Sequence, residues 1–457
     1  MKWKVDTDVQ VVTQNLARKG QRTDGEDWNL YWANVTTVKN IFHPDSGMRL
    51  SDNQLINHYP NHYELTRKDL MVKNIKRYLR EISKELQHEL PDFVPTTYLL
   101  PADYSLFVEE FRRTQNAMWI MKPYNAAQGR GIFIVNKLAQ IKRWSSGRWG
   151  PLRESYVISR YVEDPLLVGG KKFDLRLYVL VTSYRPLRVY QYAHGFARFC
   201  NVKYVLSDVH NPYVHLTNVA IQKQNDDYNA NHGGKWNVQH LRLFIESVYG
   251  SEAATKLFSD VEQIIVHSLR ATQQSIINDK HCFECYGYDI LIDAKLKPWL
   301  VEVNASPSLS TTTRSDKVMK LALIRDVLDV VCPPAVQCHH RQNDYNDKQQ
   351  SSSENNNRDT LTTTGGTPSE RRDTNDQPLF KPAFQQGPCE PKGDFTVLYD
   401  EALETHLEKC IKAGEPLPLT TTSKDNYNFR GAKHWTNWGL DDAGFPGGGG
   451  NAPATSA

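Results

Sequence analysis

The first 334 residues predict a mixed chain of the α/β or α+β class, and residues 335–457 predict a largely disordered tail. Three observations carry this reading. Strand-like and helix-like segments alternate along 1–334. Residues 64–90 repeat apolar side chains every three or four positions, the mark of an amphipathic helix. Beyond about Pro334, and most of all over 347–376, the chain turns to Gln, Ser, Asn, Thr and Asp. Such a stretch has too few apolar groups to offset the entropy of ordering.

At 457 residues the chain has room for two to four domains of roughly 100–200 residues each. Hydrophobic residues at 39%, with 22 Tyr and 10 Trp, are enough to build sizeable cores. A net charge of only +3 gives no argument for nucleic acid, so attraction to an acidic partner has to come from local basic patches. Asp6 and Asp8 interrupt the N-terminus, so no signal peptide is expected. No apolar run reaches about 18 residues, so no membrane span is expected. Seven irregularly spaced Cys fit a reducing compartment, the cytosol.

In 64–90, Met71, Ile75, Tyr78, Leu79, Ile82, Leu86 and Leu90 form one stripe. Lys68, Lys73, Lys76, Arg77, Arg80 and Lys84 fall outside it, as a solvated face or as a landing surface for an acidic polypeptide. Further helices are expected over 238–249 and 253–277. In the tail, 395–399 and 401–411 are candidate short elements, either partner-binding or unconstrained, and 447–457 reads as a flexible Gly/Ala end.

Four apolar segments carry polar groups that a plain core strand would not. Trp119-Ile120-Met121-Lys122-Pro123, then Gln128-Gly129-Arg130-Gly131 and Ile132-Phe133-Ile134-Val135, reads as strand, glycine loop, strand. Its amides suit phosphate oxygens, and a hairpin turn explains it equally well. In residues 173–181, period-two alternation puts Phe173, Leu175, Leu177, Val179 and Val181 on one face. Lys172, Asp174, Arg176 and Tyr178 share the other, as a polar cleft floor or an ion-paired surface. Residues 286–292 and 299–304 read as a hairpin, in which Glu302 and Asn304 point the same way and cross-strand pairing can bring Asp289 to them. Two carboxylates and an amide oxygen in this hairpin read as a cation site, for which all-oxygen ligation suits Mg²⁺, or as polar decoration of an exposed hairpin, against which the apolar neighbours argue.

Asp289 with Glu302-Val303-Asn304-Ala305-Ser306-Pro307-Ser308 resembles the metal-binding end of an ATP-grasp ligase, and more narrowly the tubulin tyrosine ligase-like family. Lys171-Lys172-Phe173-Asp174-Leu175-Arg176, Gly195-Phe196-Ala197-Arg198, His215-Leu216-Thr217-Asn218 and the 128–131 loop extend the resemblance. Asn61-His62-Tyr63-Glu64-Leu65-Thr66-Arg67-Lys68 is similar to the small polyglutamylase members, above all to the catalytic subunit of the multi-subunit enzyme. The resemblance implies an α+β, ATP-grasp fold. It divides the chain into an N-terminal α/β domain with the basic helix (1–95), a central domain (96–190), a C-terminal domain with the metal site (191–334) and the tail (335–457).

It also implies roles. Lys122 and Lys172 would contact ATP phosphates under Gln128 and Gly129. Ser159, Arg160, Tyr161 and Val162 would lie beside adenine. Asp174, Thr217 and Asn218 would line the nucleotide site, while Asp289, Glu302 and Asn304 would hold Mg²⁺. Arg198, Lys235 and Lys320 would bind free L-glutamate, and Arg176 would face the transferring phosphoryl group. ATP would phosphorylate an acceptor carboxylate, and the glutamate amine would attack the acylphosphate. The implied acceptor is the acidic C-terminal tail of tubulin. Partner subunits and a place on the cytoskeleton, at the basal body and axoneme of a cilium or flagellum, come with the resemblance. Two departures stand out. Arg130 replaces the usual Lys, and Ser159-Arg160 replaces the commoner Gln-containing segment.

Within the family a glycine or tyrosine ligase is the alternative, and outside catalysis a microtubule-associated subunit. Cys282 and Cys285 form one CxxC without a second pair, which reads as structural. Cys332, Cys338, His339 and His340 are a weaker metal cluster at the end of the fold. Trp28, Tyr31 and Trp32 read as core, and neither a GxSxG elbow nor a kinase signature is present.

Overall fold

A computed structural model describes residues 1–87, 92–124, 129–145, 155–229, 233–332 and 389–413. Three sheets organise them. Residues 2–56 build a small parallel sheet from Lys2–Val5, Gln21–Arg22, Leu30–Trp32 and Leu55–Ile56. Trp28 and Tyr31 are buried there, as core. A second, antiparallel sheet of four strands holds Thr97–Leu100, Trp119–Pro123, Phe133–Val135 and Tyr156–Arg160.

The third sheet is eight-stranded and centres on the 14-residue strand Lys171–Tyr184. Leu187–Tyr192, Phe196–Phe199 and Glu284–Ile292 pair with that strand, and Pro298–Asn304 pairs with Glu284–Ile292. Residues 171–190, placed by the resemblance in the central segment 96–190, therefore lie in the strands of this large sheet. Phe173, Leu175, Leu177, Val179 and Val181 bury one face under the helix Ser251–Gln273. Tyr178 and Leu180 bury the other against the helix Arg314–Val331. Tyr178 is only 1% exposed, so the polar face expected from alternation ends at Arg176.

The predicted helix over 64–90 is interrupted. Tyr63–Thr66 and Lys68–Leu86 are separate helices, because Arg67 is extended (φ −89°, ψ 120°). Leu90 lies outside the described residues. Lys73, Lys76, Arg77, Arg80 and Lys84 are exposed, as the basic flank requires. The helix Val238–Tyr249 matches its expected range, and Ser251–Gln273 starts and stops earlier than expected.

The largest correction concerns the tail. Most of 335–457 lies outside the described residues, but Phe395–Asp400 is an edge strand of the large sheet, antiparallel to Leu187–Tyr192. Phe395, Val397 and Tyr399 are buried in it, and the helix Glu401–Ala413 follows with Leu407 and Cys410 buried. The side chain of Glu401 accepts hydrogen bonds from Leu187 N and Gln273 Nε2, both at 2.7 Å. Gly393, at φ +58°, lies so close over Asp326 that a Cβ would stand 2.2 Å from its carboxyl carbon. The short elements expected at 395–399 and 401–411 are thus this strand and helix, and what composition does not show is that their apolar residues bury against a distant part of the chain.

No helix among the described residues is long and apolar enough to cross a membrane. All six described cysteines are free thiols. Cys282 and Cys285 are buried beside Glu284, whose carboxylate binds His58 and the Tyr59 amide. Cys338, His339 and His340 fall outside the described residues.

Candidate active site

Strand register builds the floor of the site. Lys235 stands opposite Arg198, and Arg198 opposite Asp174. On the other side of the central strand, Arg176 stands opposite Asp289, and Asp289 opposite Glu302. Directly opposed residues of an antiparallel pair share a face, so charges far apart in sequence meet in one band across five strands. A one-residue bulge at Val301 makes this possible: Leu300 pairs with Ile290 and turns into the core, while Glu302 pairs with Asp289 on the opposite face.

Asp289 is gripped by two guanidiniums. Arg176 binds it at 2.5 and 3.0 Å, and Arg198 at 2.8 Å. Arg198 also holds Asp174, with Nε donating at 2.8 Å. Glu302 pairs with Lys68 at 2.9 Å. Burial pushes the Glu302 carboxyl up, but Lys68 and Lys122 outweigh it and hold the group well below the ordinary carboxylate range. The Asn304 amide reaches Glu302 Oε1 at 3.3 Å and Gly287 O at 3.4 Å, so all three predicted ligands converge. Among the described residues no trio of His, Cys, Asp and Glu gathers to bind a metal. The donor set here is instead two carboxylates and an amide, which suits a hard, oxygen-loving cation.

Above this floor the antiparallel central sheet supplies the other wall of a cleft that spans about 1120 Å³, open solvent included. Lys122, Gly129, Ser159, Arg160, Tyr161, Val162, Lys172, Asp174, Thr217 and Asn218 all line it, together with Asp289 and Glu302. Of the predicted nucleotide residues only Gln128 lies outside the described residues. Its lining mixes apolar Met71, Ile120, Val157 and Leu300 with the cations Lys68, Lys122 and Lys172. Removal from water pushes the Lys122 and Lys172 ammonium groups each down to about 8. Lys172 is held in place by donating to Tyr161 OH at 2.9 Å and to His215 O at 3.1 Å. Gly129 sits at φ +79°, and a Cβ there would come within 2.3 Å of Ile221 and 3.2 Å of Asn218. Only glycine allows this loop to close on the 217–218 segment.

The predicted amino-acid residues form an adjoining cluster. Lys235 and Lys320 both pair with Asp316, each at 3.0 Å. Burial pushes Lys320 down to about 8 even with that carboxylate beside it. Lys320 also donates to Ser310 O at 2.6 Å. Arg198 links the two clusters through Asp174 and Asp289.

Sequence reasoning missed two members. Lys68 was read as part of the outer flank, but the break at Arg67 turns it onto Glu302. Asp316 is fully buried, and its amide is capped by Thr313. The Thr-x-x-Asp pattern before an apolar run signals a helix start, yet nothing in it announces two lysine partners.

A family model described as the tubulin-tyrosine ligase family matches residues 46–340. The chain belongs to this family. As a member of the tubulin-tyrosine ligase family it is a ligase, and its similarity to curated relatives extends past the family region. It is 48% identical over 431 residues to the probable alpha-tubulin polyglutamylase Ttll1 of Tetrahymena thermophila, covering 90% of this chain and 95% of that protein. It is 44% identical over 343 residues to the probable tubulin polyglutamylase TTLL9 of Bos taurus, covering 67% and 74%. With the tubulin polyglutamylase TTLL5 of Homo sapiens it shares 35% identity over 347 residues, 72% of this chain and 25% of that one.

Proposed function

We propose that this ligase adds glutamate to glutamate side chains of the C-terminal tails of tubulin, using ATP and Mg²⁺. The observation that carries the reading is the opposition of Asp289 and Glu302 in the same cleft as Lys122 and Lys172. Curated relatives named as tubulin polyglutamylases support the choice of substrate.

In this reading Asp289, Glu302 and Asn304 hold Mg²⁺, which supplies charge neutralisation for a phosphoryl group in transfer. Lys122 and Lys172 bind the phosphates, and the stretch of the cleft lining at Ser159, Arg160, Tyr161 and Val162 receives the base. Arg176 faces the transferring group, and Arg198, Lys235 and Lys320 take the carboxylates of free L-glutamate. A carboxylate is a poor acyl donor, so phosphorylation of the acceptor and attack by the glutamate amine account for the need for ATP. Exposed Lys73, Arg77, Arg80 and Lys84 offer the acidic tail a docking flank. Partner subunits, and a location on cytoplasmic and ciliary microtubules, follow from this reading.

Mass spectrometry of tubulin incubated with the chain, ATP, Mg²⁺ and glutamate is the test. Glutamate-sized mass increments on the tail peptides are expected, and they disappear when Mg²⁺ is chelated. Competition with labelled glycine and tyrosine separates the glycylase and tyrosine ligase alternatives. An unmodified tail in the presence of all components overturns the reading.

A further inference from the structure

Behind the carboxylate strands lies a chain of three side chains that the roles above leave unused. His58 is 3% exposed and Glu284 is fully buried. His58 Nδ1 lies 2.9 Å from Glu284 Oε1, and the second carboxylate oxygen accepts from Tyr59 N at 3.1 Å. The Glu284 carboxylate thus takes up Nδ1 and fixes the ring orientation, leaving Nε2 free to face another partner. Facing Nε2 at 3.4 Å is the hydroxyl of Ser306, an exposed residue two positions beyond Asn304. Glu284 opens the strand that carries Asp289, and Ser306 follows the strand that carries Glu302.

Ser306 is the second residue of the segment 305–313, which runs from the carboxylate pair to the Asp316 cluster. Its next residue, Pro307, packs on Gly287 so closely that a Cβ there would stand 2.8 Å from Pro307 Cβ and 3.4 Å from Arg176 Cδ. Further on, Ser310 O accepts from Lys320, and Thr312 Oγ1 lies 3.2 Å from Lys235 Nζ. The segment is thus a wall that runs from the carboxylate hairpin to the lysine pair around Asp316. At the Asp316 end it is tied by Lys235 and Lys320, and at the Glu302 end by His58.

We propose that His58, oriented by Glu284, is a positioning residue for ligation. Through Ser306 it fixes the 305–313 wall, and so the register between the bound amino acid and the carboxylate pair. The inference rests on the proposed ligase reading. Binding of ATP alone does not need this wall, because residues 159–162 and 215–218 lie on other elements. Loss of the His58–Ser306 contact therefore separates amino-acid use from nucleotide use.

The test uses the full chain with Ser306→Ala, Ser306→Thr and His58→Gln. Ser306→Ala is the reference variant because its site is exposed, whereas His58→Gln leaves Glu284 with a weaker partner and can affect folding. In glutamate transfer, Ser306→Ala is expected to raise KM for glutamate by about two- to tenfold, the range for one lost hydrogen bond. KM for ATP should stay within about twofold, and Ser306→Thr, which keeps a hydroxyl, should restore KM for glutamate. Hydrogen exchange of the peptide 305–316 should rise in Ser306→Ala and fall back in Ser306→Thr, with the peptide 284–292 unchanged. The exchange measurement needs no turnover, so it reads the positioning even if the transferred amino acid is not glutamate. Unchanged exchange in Ser306→Ala overturns the inference while leaving the ligase reading intact. Equal rises in both KM values overturn it as well.

Discussion

The large sheet has one face that does two jobs. At one end of Lys171–Tyr184 that face carries Lys172, Asp174 and Arg176 in a web of ion pairs around Asp289. Two residues further on it carries Tyr178 and Leu180, packed among Leu323, Ile324, Val327 and Phe395. The charged half is costly, since carboxylates and cations taken out of water regain by pairing only part of what they lose. The apolar half contributes the burial that makes this tolerable, and the C-terminal strand Phe395–Asp400 seals its edge. Substitutions in the two halves should therefore separate activity from stability.

The sharpest break is Glu302→Gln. It keeps the shape and removes the charge, so glutamate transfer should vanish while the fold is retained, with a lower thermal midpoint because Lys68 and Lys122 lose their partner; a fully active variant would refute the metal assignment. Next is Arg176→Ala, which should cost about 3 kcal/mol of transition-state stabilisation, roughly a hundredfold in kcat, by analogy with loss of one preorganised donor. Near wild-type turnover at saturating substrates would remove Arg176 from the reaction.

The opposite result is expected one turn of the pleat away. Leu180→Ala should lower unfolding free energy by about 2–5 kcal/mol and leave turnover per folded molecule unchanged. Denaturant titration paired with active-site-normalised kinetics checks both halves of that statement, and a large fall in kcat would erase the distinction between them.

A smaller effect concerns pH. Lys122 and Lys172 lose their charge as pH rises through about 8, so ATP should bind more weakly between pH 7 and 9. Their contribution to folding has the reverse sign. Between about 8 and the ordinary 10.5 the unfolded chain holds the protons and the folded chain does not, so these lysines favour the folded state increasingly as pH rises. Nucleotide affinity measured at several pH values, with Lys122→Met as control, tests the first sign; affinity that is flat through pH 8 contradicts it. The smallest effect is on the outer flank. KM for tubulin should rise a few-fold with salt, and this dependence should shrink when Lys73, Arg77 and Arg80 are replaced by Ser.

Much of this was legible before folding. Alternation along 173–181 separated the apolar face from the one with Lys172, Asp174 and Arg176, because side chains on a strand must alternate. The pairing of Glu302 with Asn304 followed from the same rule, and the helix Val238–Tyr249 from its apolar period. Local rules failed where a distant element intervened. Arg67 interrupts the expected helix ahead of its apolar stripe, which starts at Met71, and Lys68 finds its partner 234 positions away in Glu302. Tyr178 looks polar by position and is covered by a helix that starts at Arg314.

Local rules applied to the chain suffice for which residues bear charge, which strand faces they occupy and that three oxygen-bearing side chains belong to one hairpin. Tertiary structure alone decided the bulge at Val301 that puts Leu300 and Glu302 on opposite faces, the two lysines around Asp316, and the return of residues 395–400 to the sheet edge. Period and spacing are set by the local backbone. Register, ion pairing and edge closure depend on which far segments arrive, and the free energy that selects them is shared across the whole core.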